Sequence, residues 1–134
     1  MKYFYVICPV GADPDFPAKK EILESVGSKY ALIPFFPLQQ RSRFSVAAAK
    51  SDLSQAEFVL ADLSRERPSC YFELGLAQAM DVPVVLIAGS GTRIHQVGEN
   101  ARIANYSDLH QYRLLISDIL SSKQAVMQAI HRSE

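Results

Sequence analysis

The stretch "FVLADLSRERPSCYFELGLAQAM", residues 58–80, puts two acids where chemistry can be done. An apolar run closes on Asp62, a charged loop follows, and Glu73 enters near the start of an apolar helix. Tyr71, Phe72, Leu74 and Leu76 surround Glu73 in sequence, so the helix reads as apolar nearly all round and the carboxylate as short of water. Burying an acid there is costly unless its hydrogen bonds are met. Partial desolvation also makes it a better nucleophile or base than a carboxylate in water. The structural alternative is a helix cap. An acid in a first turn gains about 0.3–1 kcal/mol from the helix dipole, and with Ser69 as N-cap Glu73 falls close to that zone. Gly75 removes a side chain two residues on, which leaves room for a ligand or for close helix–sheet packing.

The remaining candidates stand in loops. Asp62 is expected to bond the loop amides that follow it and so shape a pocket. Ser64, with Arg65, is placed to meet a ribose hydroxyl or a phosphate, although "LSRER" reads equally as a solvated charged turn. The loop "CPVGADPD" offers Pro9 and Gly11, the glycine permitting close approach of backbone to ligand. His95, in "GSGTRIHQ", lies within reach of a pocket edge, where it could contact a base or phosphate, but reads first as a solvated loop residue, and His110 and His131 read as helical and exposed. "GSGT" matches neither phosphate-loop motif. Cys70 has no histidine nearby in sequence and reads as structural. No metal is expected, nor a cofactor.

The elements that would position these residues follow from hydrophobic pattern. Apolar runs at 3–8, 30–36, 58–62, 83–89 and 101–106 read as strands, the first four nearly continuous, as strands covered on both faces should be. Helices fall roughly at 15–28, 44–56, 71–80 and 107–121, with a last one near 122–132. In the fourth, Ser107 is a plausible N-cap, and Leu109, Tyr112, Leu115, Ile116 and Ile119 share one face. Strict alternation predicts a parallel five-stranded sheet in a three-layer, flavodoxin-like α/β domain spanning 1–134. Ligands in such sheets bind beyond the carboxyl ends of the strands, where the strand order switches. The loops holding Pro9, Ser64 and His95 would meet there.

Composition narrows the partners. The chain has 134 residues, nearly half apolar and about a fifth charged, with zero formal net charge. That balance speaks against binding polymeric nucleic acid or a membrane surface. Lys19-Lys20 and Arg41 to Arg43 are too few to form a basic face. No apolar run approaches the about 20 residues that span a bilayer, and Cys8 and Cys70 lack metal-type spacing. A cytoplasmic protein with reduced thiols is expected. The apolar segment "AVMQAI" (125–130) reads as a dimer face or as a helix packed on its own sheet, so a homo-oligomer is one expectation.

Residues 61–87, "ADLSRERPSCYFELGLAQAMDVPVVLI", resemble the signature of the nucleoside 2-deoxyribosyltransferase-like superfamily: a strand, an acidic loop, "(F/Y)ELG(x)A", then a short strand after "GKPV". Here the last part reads Asp81-Val82-Pro83-Val84. The resemblance implies that Glu73 attacks C1′ of a ribosyl or deoxyribosyl group. The nucleobase leaves, and another base or water resolves the glycosyl-enzyme, as in retaining glycosidases. It also implies a first-strand tyrosine bonded to the nucleophile. "KYFY" puts Tyr5 there, while Tyr3 shares its facing and both also read as core residues. Two family acids are replaced. The position six before the nucleophile is Arg67, which resembles instead the phosphate-binding serine of nucleotide-hydrolysing relatives, with a positive charge added. The other falls at Ala49, with Asp52 the nearest acid. General-acid help for the leaving base is thereby unassigned.

Ser69, Cys70, Glu73 and Leu74 also resemble the "SxWCxxEL" of TIR domains, some of which cleave the nicotinamide bond of NAD. Nicotinamide leaves as a neutral base from a cationic linkage and needs no proton. The expected function is therefore an N-glycosidic-bond enzyme on a nucleoside, nucleotide or NAD-like ligand, with Glu73 as nucleophile and Tyr5 orienting it. Arg67, Ser64 and Ser69 would contact sugar or phosphate. The alternatives are a TIR-like NAD glycohydrolase and a binding module that holds a nucleotide without cleaving it.

Overall fold

The computed structural model describes residues 2–37, 45–65, 68–94 and 102–133. Among the described residues the elements are, in order, β1 (Tyr3–Ile7), α1 (Phe16–Lys29), β2 (Ile33–Phe35), α2 (Val46–Gln55), β3 (Val59–Asp62), α3 (Pro68–Ala79), β4 (Val84–Gly89), β5 (Ile103–Tyr106) and α4 (Leu109–Ser133), with a helix after every strand but β4. The strands form one sheet in the order β2-β1-β3-β4-β5, and every pairing is parallel. The three-layer flavodoxin-like α/β fold is as the alternation predicts. The order reverses between β1 and β3, so the switch point lies beyond Ile7 and Asp62.

Strand alternation splits the core into two layers. Phe4, Val6, Leu60 and Ile87 face α1 and α4, packing on Leu23, Val26, Tyr112 and Ile116. Tyr5, Ile7, Val59, Ala61 and Ala88 face α2 and α3, packing on Leu53, Leu74 and Ala77. This period of two decides the site, because it sends Tyr5 to the α3 side. Asp62, in step with Leu60, goes to the α1 side.

Element ends differ from the sequence reading in informative ways. The two C-terminal helices are one, α4, because 107–133 contains neither Gly nor Pro and a pair of serines does not interrupt a helix. Its cap is Asp108, whose Oδ1 accepts from the Gln111 amide at 2.8 Å. Ser107 is not the cap; its own N–H donates to the Gln111 side chain at 2.8 Å. Helix α3 starts three residues earlier than the pattern suggests, at Pro68, a residue suited to a first turn. Ser69 therefore lies inside the helix and is not its N-cap. Nor is α3 apolar all round, since Phe72, Gly75, Gln78 and Ala79 are exposed. No helix among the described residues is long and apolar enough to cross a membrane.

Candidate active site

The early start of α3 changes the standing of Glu73. Its first turn holds no acid, and Glu73 falls in the second turn, beyond the reach of a cap and of most of the dipole. The capping explanation is thereby removed. Glu73 is 4% exposed, on the helix face turned to the sheet. The Tyr5 hydroxyl, fully buried on β1, donates to Glu73 Oε2 at 2.6 Å. Burial raises the carboxyl above its ordinary range, and the Tyr5 hydrogen bond opposes that rise by favouring the ionised form. Tyr3, two residues earlier on the same face, bonds the Asp52 carbonyl oxygen instead. Gly75 does not serve close packing, as no atom lies within 4 Å of where a Cβ would stand.

A second polar cluster sits on the other face of the same edge, and the sequence reading missed its centre. Lys19 of α1 is buried, with Nζ 2.6 Å from Asp13 Oδ2 and 3.6 Å from Asp62 Oδ2. It also donates to the Tyr106 hydroxyl at 2.7 Å. Burial alone would lower the ammonium, but the bonds to Asp13 and Tyr106 and the charge of Asp62 outweigh it and raise it. The chain of donors is continuous. Gly89 N–H donates to Ser64 Oγ at 2.6 Å, Ser64 to Tyr106 at 3.0 Å, and Tyr106 to Asp62 at 2.7 Å. Burial, with the Asp62 charge, pushes the Tyr106 hydroxyl up to about 12. The signal was present in the sequence: Phe16, Lys19, Ile22, Leu23 and Val26 lie on one helical face, with the lysine in the apolar stripe. Reading Lys19 with Lys20 as a surface pair hid it.

Among the described residues the edge opens on both sides of the switch point. A cleft of about 640 Å³ lies over the ends of β3, β4 and β5, lined by Asp13, Asp15, Lys19, Ser64, Arg65, the turn 89–93 and Tyr106. A much smaller pocket, about 10 Å³ on the same measure, lies over β1 and β2, between Cys8, Val10, Phe36, Pro37 and Glu73. It is large enough for about one water molecule. Cys8 and Asp62 meet at the switch point between them, on a third small cavity that also touches Pro9. Burial and the Asp62 charge raise the Cys8 thiol, which stays protonated.

The sequence-derived candidates divide as follows. Tyr5 and Glu73 are in contact. Asp62 accepts from the Ser64 amide at 3.0 Å, the turn-shaping bond expected of it. The Ser64 hydroxyl lines the large cleft but is committed to Tyr106 and Gly89. Pro9 is buried, its carbonyl accepting from the Ala12 and Asp13 amides, while Gly11 is exposed in open space. Arg67, His95 and the side chain of Ser69 lie outside the described residues. Ala49 is buried in α2 and Cys70 in α3. Among the described residues no group of His, Cys, Asp or Glu could hold a metal ion.

No family model matches the sequence, and no curated protein matches it significantly. Solved structures do. A 2-deoxyribosyltransferase from the psychrotolerant bacterium Bacillus psychrosaccharolyticus superposes with a TM-score of 0.58 at 16% identity, covering 83% of this chain and 90% of that one. The 2-desoxiribosyltransferase from Leishmania mexicana gives 0.52 at 19% identity, covering 66% of this chain. This chain spans 65% of the length of the Leishmania protein. The chain thus shares its fold with the nucleoside 2-deoxyribosyltransferases.

Proposed function

We propose that the protein is an N-glycosidic-bond enzyme acting on a nucleoside, nucleotide or related glycoside, with Glu73 as nucleophile. The observation that carries the reading is a buried carboxylate held at 2.6 Å by a buried tyrosine, at the carboxyl edge of the sheet. The fold shared with two 2-deoxyribosyltransferases supports it. Glu73 attacks C1′ as the bond to the base breaks, and the base departs with the bonding electrons. A glycosyl ester of Glu73 results. Water or a second base then attacks C1′ and returns the carboxylate. Tyr5 fixes the rotamer of Glu73 and, by favouring the ionised form, opposes the pull of burial.

No second carboxylate lines the Glu73 pocket among the described residues. That favours leaving groups that need no protonation, the nicotinamide of an NAD-like substrate among them. The buried Ala49 also suits a binding module without chemistry.

The test is to incubate the protein with a panel of nucleosides, nucleotides and NAD and to follow free base by chromatography. Release by the native protein and its loss in Glu73→Gln, with ligand binding retained, is the expected result. Thermal stabilisation by a ligand without release would transfer the site to the binding reading.

A further inference from the structure

We propose that the cleft over β3, β4 and β5 is a phosphate-binding site whose cationic contacts are Arg65 and Arg93. The charges in and around the cleft are a buried cluster, two exposed arginines and one exposed acid, Asp15, which lines the cleft and opposes an anion there. Lys19, Asp13 and Asp62 are buried and spent on one another, with separations of 2.6 and 3.6 Å. Asp13 further accepts from the Asp15 amide at 2.9 Å. Arg65 and Arg93 are exposed at the rim, on two different loops, and neither is ion-paired among the described residues. Two guanidiniums that line one cavity from separate loops offer an anion cationic contacts from two sides. Phosphate suits the guanidinium fork, which binds it through paired N–H donors.

The backbone beneath them supports the same ligand. Gly91, in the turn that joins the two hydroxyls of Ser90 and Thr92, takes φ 83°. No atom lies within 4 Å of where its Cβ would stand, so an oxygen-rich group can approach the main chain there. Arg65 holds φ 49°, a left-handed conformation that costs a non-glycine residue about 1–2 kcal/mol. The Asp62 carboxylate pins that turn through the Ser64 amide at 3.0 Å. The backbone that carries Arg65 is thus fixed at the cleft rim.

A phosphate here has two sources: the substrate's own phosphate, or a separate phosphorylated ligand. The first rests on the glycosidic reading, since the substrate would then reach across Cys8 and Asp62 to Glu73; the second does not. The protein is titrated calorimetrically with ribose 5-phosphate and with ribose, neither of which has a base to release. The expected result is binding of ribose 5-phosphate at least tenfold tighter than ribose, weakened by salt and reduced at least tenfold in Arg65→Gln/Arg93→Gln. Equal binding of the two sugars, or an unchanged affinity in a double variant whose melting temperature is native, overturns the site. Kinetics then separate the sources. If the phosphate is the substrate's, the double variant lowers the ratio of kcat/KM for a nucleoside 5′-monophosphate over its nucleoside at least tenfold. If it is a separate ligand, that ratio holds while ribose 5-phosphate binding is lost. Base release surviving Glu73→Gln would remove the nucleophile and leave phosphate binding standing.

Discussion

At the scale of single residues, Glu73 is held in two opposing ways. Burial raises its carboxyl and Tyr5 lowers it, the first being the larger. An acid raised in the folded state adds stability below its ordinary value and loses it as pH rises through the folded one, because the ionised form is penalised. Glu73→Gln abolishes this titration. The variant should therefore gain stability relative to the native protein as pH rises across the carboxylate range, by about 1.4 kcal/mol for each pKa unit by which the two states differ. Urea unfolding on both sides of that range measures it, and any constant offset from the new amide cancels. Tyr5→Phe acts in the other direction. Without the hydroxyl the carboxyl rises further, so the acid limb of the pH–rate profile should move to higher pH. With a hydrogen bond to a charged group worth about 1.5–3 kcal/mol, kcat/KM should fall roughly 10- to 100-fold below that limb.

At the scale of elements, two helix ends carry strain that the sequence only partly disclosed. Helix α1 closes with Leu32 N–H on the Gly27 carbonyl at 3.0 Å and Ala31 at φ 56°. Helix α3 closes with Val82 N–H on the Ala77 carbonyl and Asp81 N–H on the Gln78 carbonyl, both at 3.1 Å, and Asp81 at φ 58°. Both are left-handed caps that glycine favours. The second stands where the resembling signature writes the glycine of "GKPV". Ala31→Gly should stabilise the protein by about 0.5–1 kcal/mol, read as a shift in the urea midpoint. Asp81→Gly should gain less, since Asp tolerates this conformation better than Ala.

Other boundaries were legible to differing degrees. The strands announced themselves because parallel, doubly covered strands are continuous apolar runs. The break placed between 121 and 122 was not real, since Ser121 and Ser122 weigh only tenths of a kcal/mol against a helix that packs Tyr112, Ile116 and Leu120 into the core. Glu73 and Tyr5 could be paired from strand alternation and a motif. The Lys19 cluster could not, because its members come from α1, β3, β5 and two loops, and only the fold brings them together.

At the scale of the whole molecule, that cluster ties the layers at the carboxyl edge of the sheet. Lys19 reaches from α1 to the ends of β3 and β5, and Ser64 continues the chain of bonds to β4. The large cleft therefore rests on a polar floor whose parts answer to one ammonium, while Glu73 stands on the opposite layer and answers to Tyr5 alone among the bonds described above. Removing one member of a buried ionic cluster leaves its partners uncompensated. Lys19→Met strands two buried carboxylates and should cost about 3–5 kcal/mol in urea unfolding. Asp62→Asn removes the more distant acid, 3.6 Å away, leaves the 2.6 Å contact with Asp13 intact and keeps one oxygen to accept from the Ser64 amide, losing the acceptor for Tyr106, so it should cost less. Adding Asp13→Asn to Lys19→Met removes one of the stranded charges and should restore part of the loss. If Lys19→Met proves as mild as Asp62→Asn, the ammonium is not what holds this edge, and the cleft above it has another foundation.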